Sequence, residues 1–258
     1  MTSPHLVRNP PAEGNRSVFT WAAWMKRGKI NAWQRIFTVC QAPGDRFSNG
    51  NAAVQFPDSG YTNTFRFLDQ MEHSDSHNTT DIDKYTEHRV TDMGGWYHFM
   101  VVVDTTAVTT NSRLRLYING HEVKDIRHTD NSGVQGTKTL INARDNLHLI
   151  GVRKPSGTIS EVLNSEMFDN YLVDGQALDP SYFGYYRDGR GYTSQGTPRS
   201  NFGNYSMNNG AWHPLPPSAV KKKIESNGGF GINGFYLPMN SANHPGADFH
   251  IEPDTILN

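Results

Sequence analysis

The chain has 258 residues and a formal net charge of -1, with only 19% charged residues, which excludes the basic surface needed to track a nucleic-acid backbone. Its single cysteine, Cys40, excludes an intrachain disulfide framework and a multi-cysteine zinc site. Apolar runs such as Phe99 to Val103 fall far short of the about 20 residues that a membrane-spanning helix needs. With 24 glycines, 14 prolines and 11% aromatic residues, the composition suits many short strands joined by turns, and the length suffices for one all-β domain with a substantial core. The amino terminus, Met-Thr-Ser-Pro-His-Leu-Val-Arg, lacks an apolar signal core, so a soluble protein made in a reducing cytoplasm is expected.

Residues 1 to 16 read as an exposed lead-in ending in Gly14-Asn15-Arg16. From Ser17 the pattern turns to strand, with Val18, Thr20, Ala22 and Trp24 alternating against Phe19, Trp21, Ala23 and Met25, closed by Lys26-Arg27-Gly28. Further strands are predicted at about 35–40, 52–56 and 64–68, punctuated by Pro43-Gly44-Asp45 and Asp58-Ser59-Gly60. Residues 69 to 88 are polar without an apolar period and predict a long surface loop.

The stretch from Trp96 to Val123 organises the chain. Its first strand is apolar on both faces and is therefore central. The second sets Leu114, Leu116 and Ile118 against Arg113, Arg115 and Tyr117, which predicts one wet face. Asn119-Gly120 supplies the two residues of positive φ that a type I′ turn needs. A Gly/Asn/Thr loop at 129–145 precedes a strand at Leu147 to Ile150, and 158–174 alternates weakly. Asp179-Pro180 and Gly184 fit a one-turn helix. The rest, 185 to 258, is Gly-, Asn- and Tyr-rich with one clear strand, Gly234 to Met239, and Lys221-Lys222-Lys223 reads as a solvated turn.

Trp-Tyr-His followed by valines ending in Asp104, and Leu116-Tyr-Ile-Asn-Gly120, resemble the central hairpin of laminin-G-like domains in the concanavalin A-like lectin superfamily. Gly14-Asn-Arg with Phe19-Thr-Trp-Ala-Ala-Trp-Met-Lys-Arg27, Gly95 to Thr106, Val173-Asp-Gly-Gln-Ala-Leu-Asp-Pro180, Phe183-Gly184 and Gly231-Ile-Asn-Gly-Phe-Tyr-Leu237 are similar, in order, to laminin-G-like structural proteins of tailed bacteriophages. The resemblance covers roughly residues 5 to 240. It implies a two-sheet antiparallel jelly-roll sandwich over 1–184, an irregular extension over 185–258 packing on the sandwich or a neighbour, and a virion component on the particle exterior. Relatives usually carry a strand before the Gly-Asn-Arg stretch. This chain starts almost at it, so an unpaired sheet edge is expected.

Glycoside hydrolysis needs two carboxylates about 5 to 5.5 Å apart in retaining enzymes, and no two glutamates are spaced by two or four residues. Asp81, Asp83 and Glu87 fall in the polar loop and read as solvated, so no catalytic residue is assigned. His73, Asp75 and His77, with Asp81 and His88 nearby, alternate as a chelate would, and Asp104 ends a strand as a calcium ligand would. Wet loops are the commoner reading of both, so no metal and no cofactor is assigned.

His98 is read as a hydrogen-bonded core histidine, Cys40 as packing, and Trp21, Trp24 and Trp96 as core, with Trp96→Ala expected to cost roughly 3 to 5 kcal/mol. The aromatic residues of the extension are the interface candidates: Tyr185, Tyr186, Tyr192, Phe202, Tyr205 and Trp212. Wrapping the sandwich's own edge is their alternative. The expected protein is non-enzymatic, made in the bacterial host cytoplasm and displayed on the virion, with capsid decoration first. Its expected partners are major capsid or tail subunits and further copies of itself, without nucleic acid or membrane insertion. The alternative is a tail-associated receptor- or glycan-binding module for host surface polysaccharide, using loops 69–88 and 129–145.

Overall fold

A computed structural model describes residues 5–40, 51–70, 82–126, 133–153, 158–186 and 211–239. The architecture is all-β: two antiparallel sheets face each other across one core. In the first sheet the order is β1 (Leu6–Arg8), β10 (Leu147–Ile150), β3 (Gln34–Cys40), β4 (Asn51–Phe56), β5 (Thr64–Gln70) and β6 (Ile82–Arg89). In the second it is β14 (Phe235–Leu237), β11 (Ser165–Asp174), β2 (Val18–Arg27), β7 (Tyr97–Asp104), β8 (Leu114–Ile118) and β9 (His121–Glu122). A short helix, α1 (Thr110–Arg113), leads into β8.

Alternation along each strand builds the core. Strand β2 sends Phe19, Trp21, Ala23 and Met25 inward, and β7 sends Phe99, Val101 and Val103. These meet Phe37, Val54, Phe56, Phe65 and Phe67 of the first sheet, with Phe56 edge-on to Phe99 at 5.4 Å. Each such aromatic, fully buried, contributes about 2 kcal/mol of transfer free energy. At the rim Arg27 is also buried, its guanidinium 4.1 Å from the Phe56 ring centroid. Burial pushes its pKa down to about 10.

Around Tyr117 the outer face of the second sheet is covered, which corrects the expectation of a wet face there. Tyr117 is buried with Ala22, Met100, Val102, Tyr171 and Val173 beneath a layer formed by the chain's own later residues. That layer comprises a 3-10 turn at Pro180–Tyr182, the pair β12 (Gly184–Tyr186) and β13 (Trp212–Pro214), and helix α2 (Pro217–Ser226). Phe183, Leu215, Val220, Ile224 and Phe230 face the sheet. Asp179 caps the 3-10 turn by accepting from Ser181 N at 2.9 Å. The Asn119-Gly120 turn has φ of 50° and 76°, as its sequence requires.

Four expectations are corrected. Strand β1 precedes Gly14 and pairs with β10, so that sheet edge is covered. Residues 82–89 form strand β6 rather than loop; its polar side chains find partners, Asp83 on Arg66 and Lys84 Nζ on Leu114 O at 2.9 Å. The lysine run 221–223 lies in α2, not in a turn. Trp96 is 38% exposed and precedes β7, so it is not core.

Three separated stretches, Gly14-Asn-Arg16, Val173 to Pro180 and Gly231 to Leu237, meet at Asp174. Its Oδ1 accepts from Asn15 N at 2.7 Å and from Asn142 Nδ2 at 3.1 Å, and its Oδ2 from Asn233 N at 3.1 Å. Asn233 Nδ2 donates in turn to Ala12 O and Asn142 O. Gly231 has φ of +77°, and a Cβ there would lie 2.2 Å from Asp174 O, so only glycine lets the backbones approach. Burial pushes the Asp174 pKa up, opposed by the Asn15 and Asn233 N–H groups.

Candidate functional site

The first sheet carries a polar outer face. Cross-strand partners share a face, so the registers align Arg35, Gln55, Arg66 and Tyr85 in one row across β3 to β6. Thr38, Ala53, Leu68 and Asp83 form the next row, and Cys40, Asn51 and Gln70 the third. Arg66 grips Asp83 through two bonds of 2.7 and 2.6 Å. Glu161 is clamped between Arg35 and Arg153, the latter at 3.0 Å. Asn51 accepts from Arg35 and donates to Gln70 Oε1 at 2.9 Å. Gln55 is fully buried, and neither its Nε2 nor its Oε1 has a hydrogen-bond partner, nor has Thr38 Oγ1.

Burial pushes the Glu161 pKa up, but the charges and hydrogen bonds of Arg35 and Arg153 outweigh it and hold the carboxyl below its ordinary value. A general acid at neutral pH needs the opposite shift. The Asp83 carboxylate is paired with the Arg66 guanidinium. Sequence reading missed this face although its signal was present, since Arg35, Asn51, Gln55, Arg66 and Gln70 interrupt apolar strands on one side only.

Of the acidic trio, Asp83 and Glu87 stand on β6 and Asp81 lies outside the described residues. So do His73, Asp75 and His77. Among the described residues no three His, Cys, Asp or Glu side chains group as metal ligands. Asp104 Oδ1 instead accepts from the backbone N–H of Thr106 at 3.1 Å and from its hydroxyl.

The interface candidates that are described lie on the second sheet. Trp212 and Tyr186 pack edge to face at 4.9 Å and are buried with Trp24. Tyr186 Oη donates to Asn119 O at 2.6 Å, and the Trp212 ring lies where a Gly120 Cβ would be, 2.5 Å from its nearest carbon. Both rings thus cover the chain's own sheet. Tyr185 is half-buried, 5.8 Å from His213. Tyr192, Phe202 and Tyr205 lie outside the described residues. His98 is buried among Trp24, Phe183 and Trp212, and its Nδ1 makes no hydrogen bond, which corrects the hydrogen-bonded reading; burial alone pushes its pKa down to about 3.

Residues 5–163 match the family described as the concanavalin A-like lectin/glucanases superfamily. Among curated protein sequences none matches. Similar solved structures include the heptameric SAP-like pentraxin from Limulus polyphemus, at 17% identity and a TM-score of 0.45, covering 68% of this chain and 71% of that one. The CBM40 of the Ruminococcus gnavus IT-sialidase, bound to α2,3-sialyllactose, is 13% identical with a TM-score of 0.39, covering 63% of this chain and 90% of that one. The enzymatically active domain of bacteriophage CBA120 tailspike protein 2 is 12% identical with a TM-score of 0.41, covering 66% of this chain and 24% of that one.

Proposed function

The chain belongs to the concanavalin A-like lectin/glucanase superfamily, and from that premise we propose that it is a non-enzymatic structural protein on the exterior of a bacteriophage particle, with capsid decoration as its role. The fold serves glycosidases, sialidases and binding modules alike, so the residues have to decide. The observation that carries the reading is the junction at Asp174. The Gly-Asn-Arg, Asp-Gly-Gln and Gly-Ile-Asn-Gly stretches, which carry the likeness to phage structural proteins, converge there and are joined by hydrogen bonds. Other virion proteins, major capsid or tail subunits, are the partners this reading implies.

Gold-labelled antibody against the protein, applied to intact particles and viewed by electron microscopy, tests it. Label over the head supports decoration. Label confined to the tail supports the second reading, a receptor- or glycan-binding module, and absence of label from every particle overturns the virion assignment. The second reading requires a carbohydrate-binding surface, and the buried row of Arg35, Gln55 and Tyr85 does not itself present one. That reading predicts saturable binding to host surface polysaccharide.

A further inference from the structure

At the far end of the second sheet's outer face, beyond the covering layer, an aromatic shelf meets solvent. Trp96 stands edge-on to Phe168 with ring centroids 4.8 Å apart, and Phe168 stacks on buried Trp24 at 5.7 Å with planes 6° apart. Tyr185 and Phe168 both pack against the Trp24 cluster. On the neighbouring row Lys26 and Glu166, partners in the β2–β11 register, form an ion pair at 3.6 Å, with side chains 34% and 68% exposed. The indole is thus exposed yet held by two stacked rings, and one charge of each sign lies beside it.

We infer that this shelf is a self-association surface on which a second copy of the chain docks about a two-fold axis. Exposed, pre-ordered aromatic rings are the residues that anchor interfaces, because little freedom remains to be lost on binding. The charge pair selects the partner. A two-fold axis passing between Lys26 and Glu166 sets the Lys26 of one copy against the Glu166 of the other, with the indoles flanking it, so every charge meets its opposite. A partner patch of a single sign leaves one of the two charges facing its like.

The inference rests on the reading of a repeated surface subunit, but it is tested on purified protein rather than on particles, so the two fail separately. Sedimentation velocity of the full chain over a concentration series is expected to show a monomer–dimer equilibrium. Trp96→Ala, which leaves the buried rings in place, weakens it by about tenfold or more. Lys26→Glu alone and Glu166→Lys alone each yield monomer, because each makes the surface repel its own copy, while an equimolar mixture of the two variants dimerises. Unchanged circular dichroism and melting temperature show that the variants remain folded, as expected for an exposed pair. A monomeric wild type up to millimolar concentration, or charge variants that dimerise like wild type, overturns the proposal.

Discussion

The backbone N–H of Asn15 donates to the carboxylate of Asp174 at 2.7 Å across 159 positions of sequence. That bond joins the lead-in before β2 to the end of β11, and Asn142 and Asn233 bring two more segments to the same side chain. Replacing Asp174 by Ala removes the acceptor shared by Asn15 N, Asn142 Nδ2 and Asn233 N, of which Asn142 Nδ2 keeps Asn15 O, and the expected loss is about 2 kcal/mol in urea unfolding. Asp174→Asn keeps a single acceptor oxygen and is expected to lose less. Equal stability of Asp174→Ala and wild type would remove the junction from the forces that hold the fold.

Glu161 predicts a second loss. It bridges Arg35 and Arg153, both side chains only 5% exposed, so Glu161→Gln removes the carboxylate charge that faces two guanidinium groups in a dry setting. Breaking such a cluster costs about 3 kcal/mol or more, whereas Glu166→Gln, in an exposed pair, is expected to cost under about 1 kcal/mol. Paired urea titrations of the two variants check the contrast. Similar losses at both sites would contradict the burial of the Glu161 cluster.

Much of this architecture was legible in the chain. The strands of residues 18–27 and 97–104, the Asn119-Gly120 turn and the Asp179-Pro180 turn follow from alternation, from positive φ and from capping, all local causes. What escaped depends on distant partners. Strand β6 reads as loop because its polar side chains are matched by Arg66 on β5 and the Leu114 carbonyl at the start of β8, neither visible in the segment itself. Helix α2 shows only Val220 and Ile224, four apart, as its buried stripe, and three lysines between them hide it. Tyr117 looks wet until a covering layer about a hundred residues further on is in place. The polar face of the first sheet is a property of register, and register is set by pairing rather than by any one strand.

Two tryptophans exchange the roles that the sequence suggests. Trp96, expected in the core, is 38% exposed, and Trp212, an interface candidate, is 7% exposed with its ring over Gly120. Trp212→Ala is therefore expected to cost about 3 kcal/mol or more and Trp96→Ala about 1 kcal/mol or less. Gly120→Ala forces a Cβ into the indole at a φ of +76° and is expected to destabilise by about 2 kcal/mol. Thermal melts of the three variants rank the sites, and a larger loss for Trp96→Ala than for Trp212→Ala would reverse the assignment.

Acid stability follows from the two buried imidazoles. Burial pushes the pKa of His98 down to about 3 and that of His148 to about 4. Both lie below the ordinary value of 6.5, so the folded state favours the neutral ring while the unfolded chain takes up protons first. The resulting stability is fully present above about pH 6.5 and is lost as pH falls toward 4, by about 1.4 kcal/mol per pH unit for each histidine. Glu161, whose pKa is lowered, adds its own loss only beneath the ordinary carboxylate value of 4.5, so the window from 6.5 to 4.5 separates the histidines from it. His98 makes no bond through Nδ1 and is ringed by aromatic side chains, so His98→Phe is expected to keep the fold and reduce the slope between pH 6 and pH 5, to which His121, also lowered by burial, contributes in the same direction and Asp169 and Asp174, raised by burial, in the opposite one. His148 retains its own contribution: its Nε2 accepts from Asn142 N at 3.1 Å, and its Nδ1–H donates to Asn146 O at 2.8 Å. Urea titrations at pH 7, 6 and 5 measure both slopes, and identical slopes for wild type and His98→Phe would show that His98 titrates in the folded protein as it does in the unfolded chain.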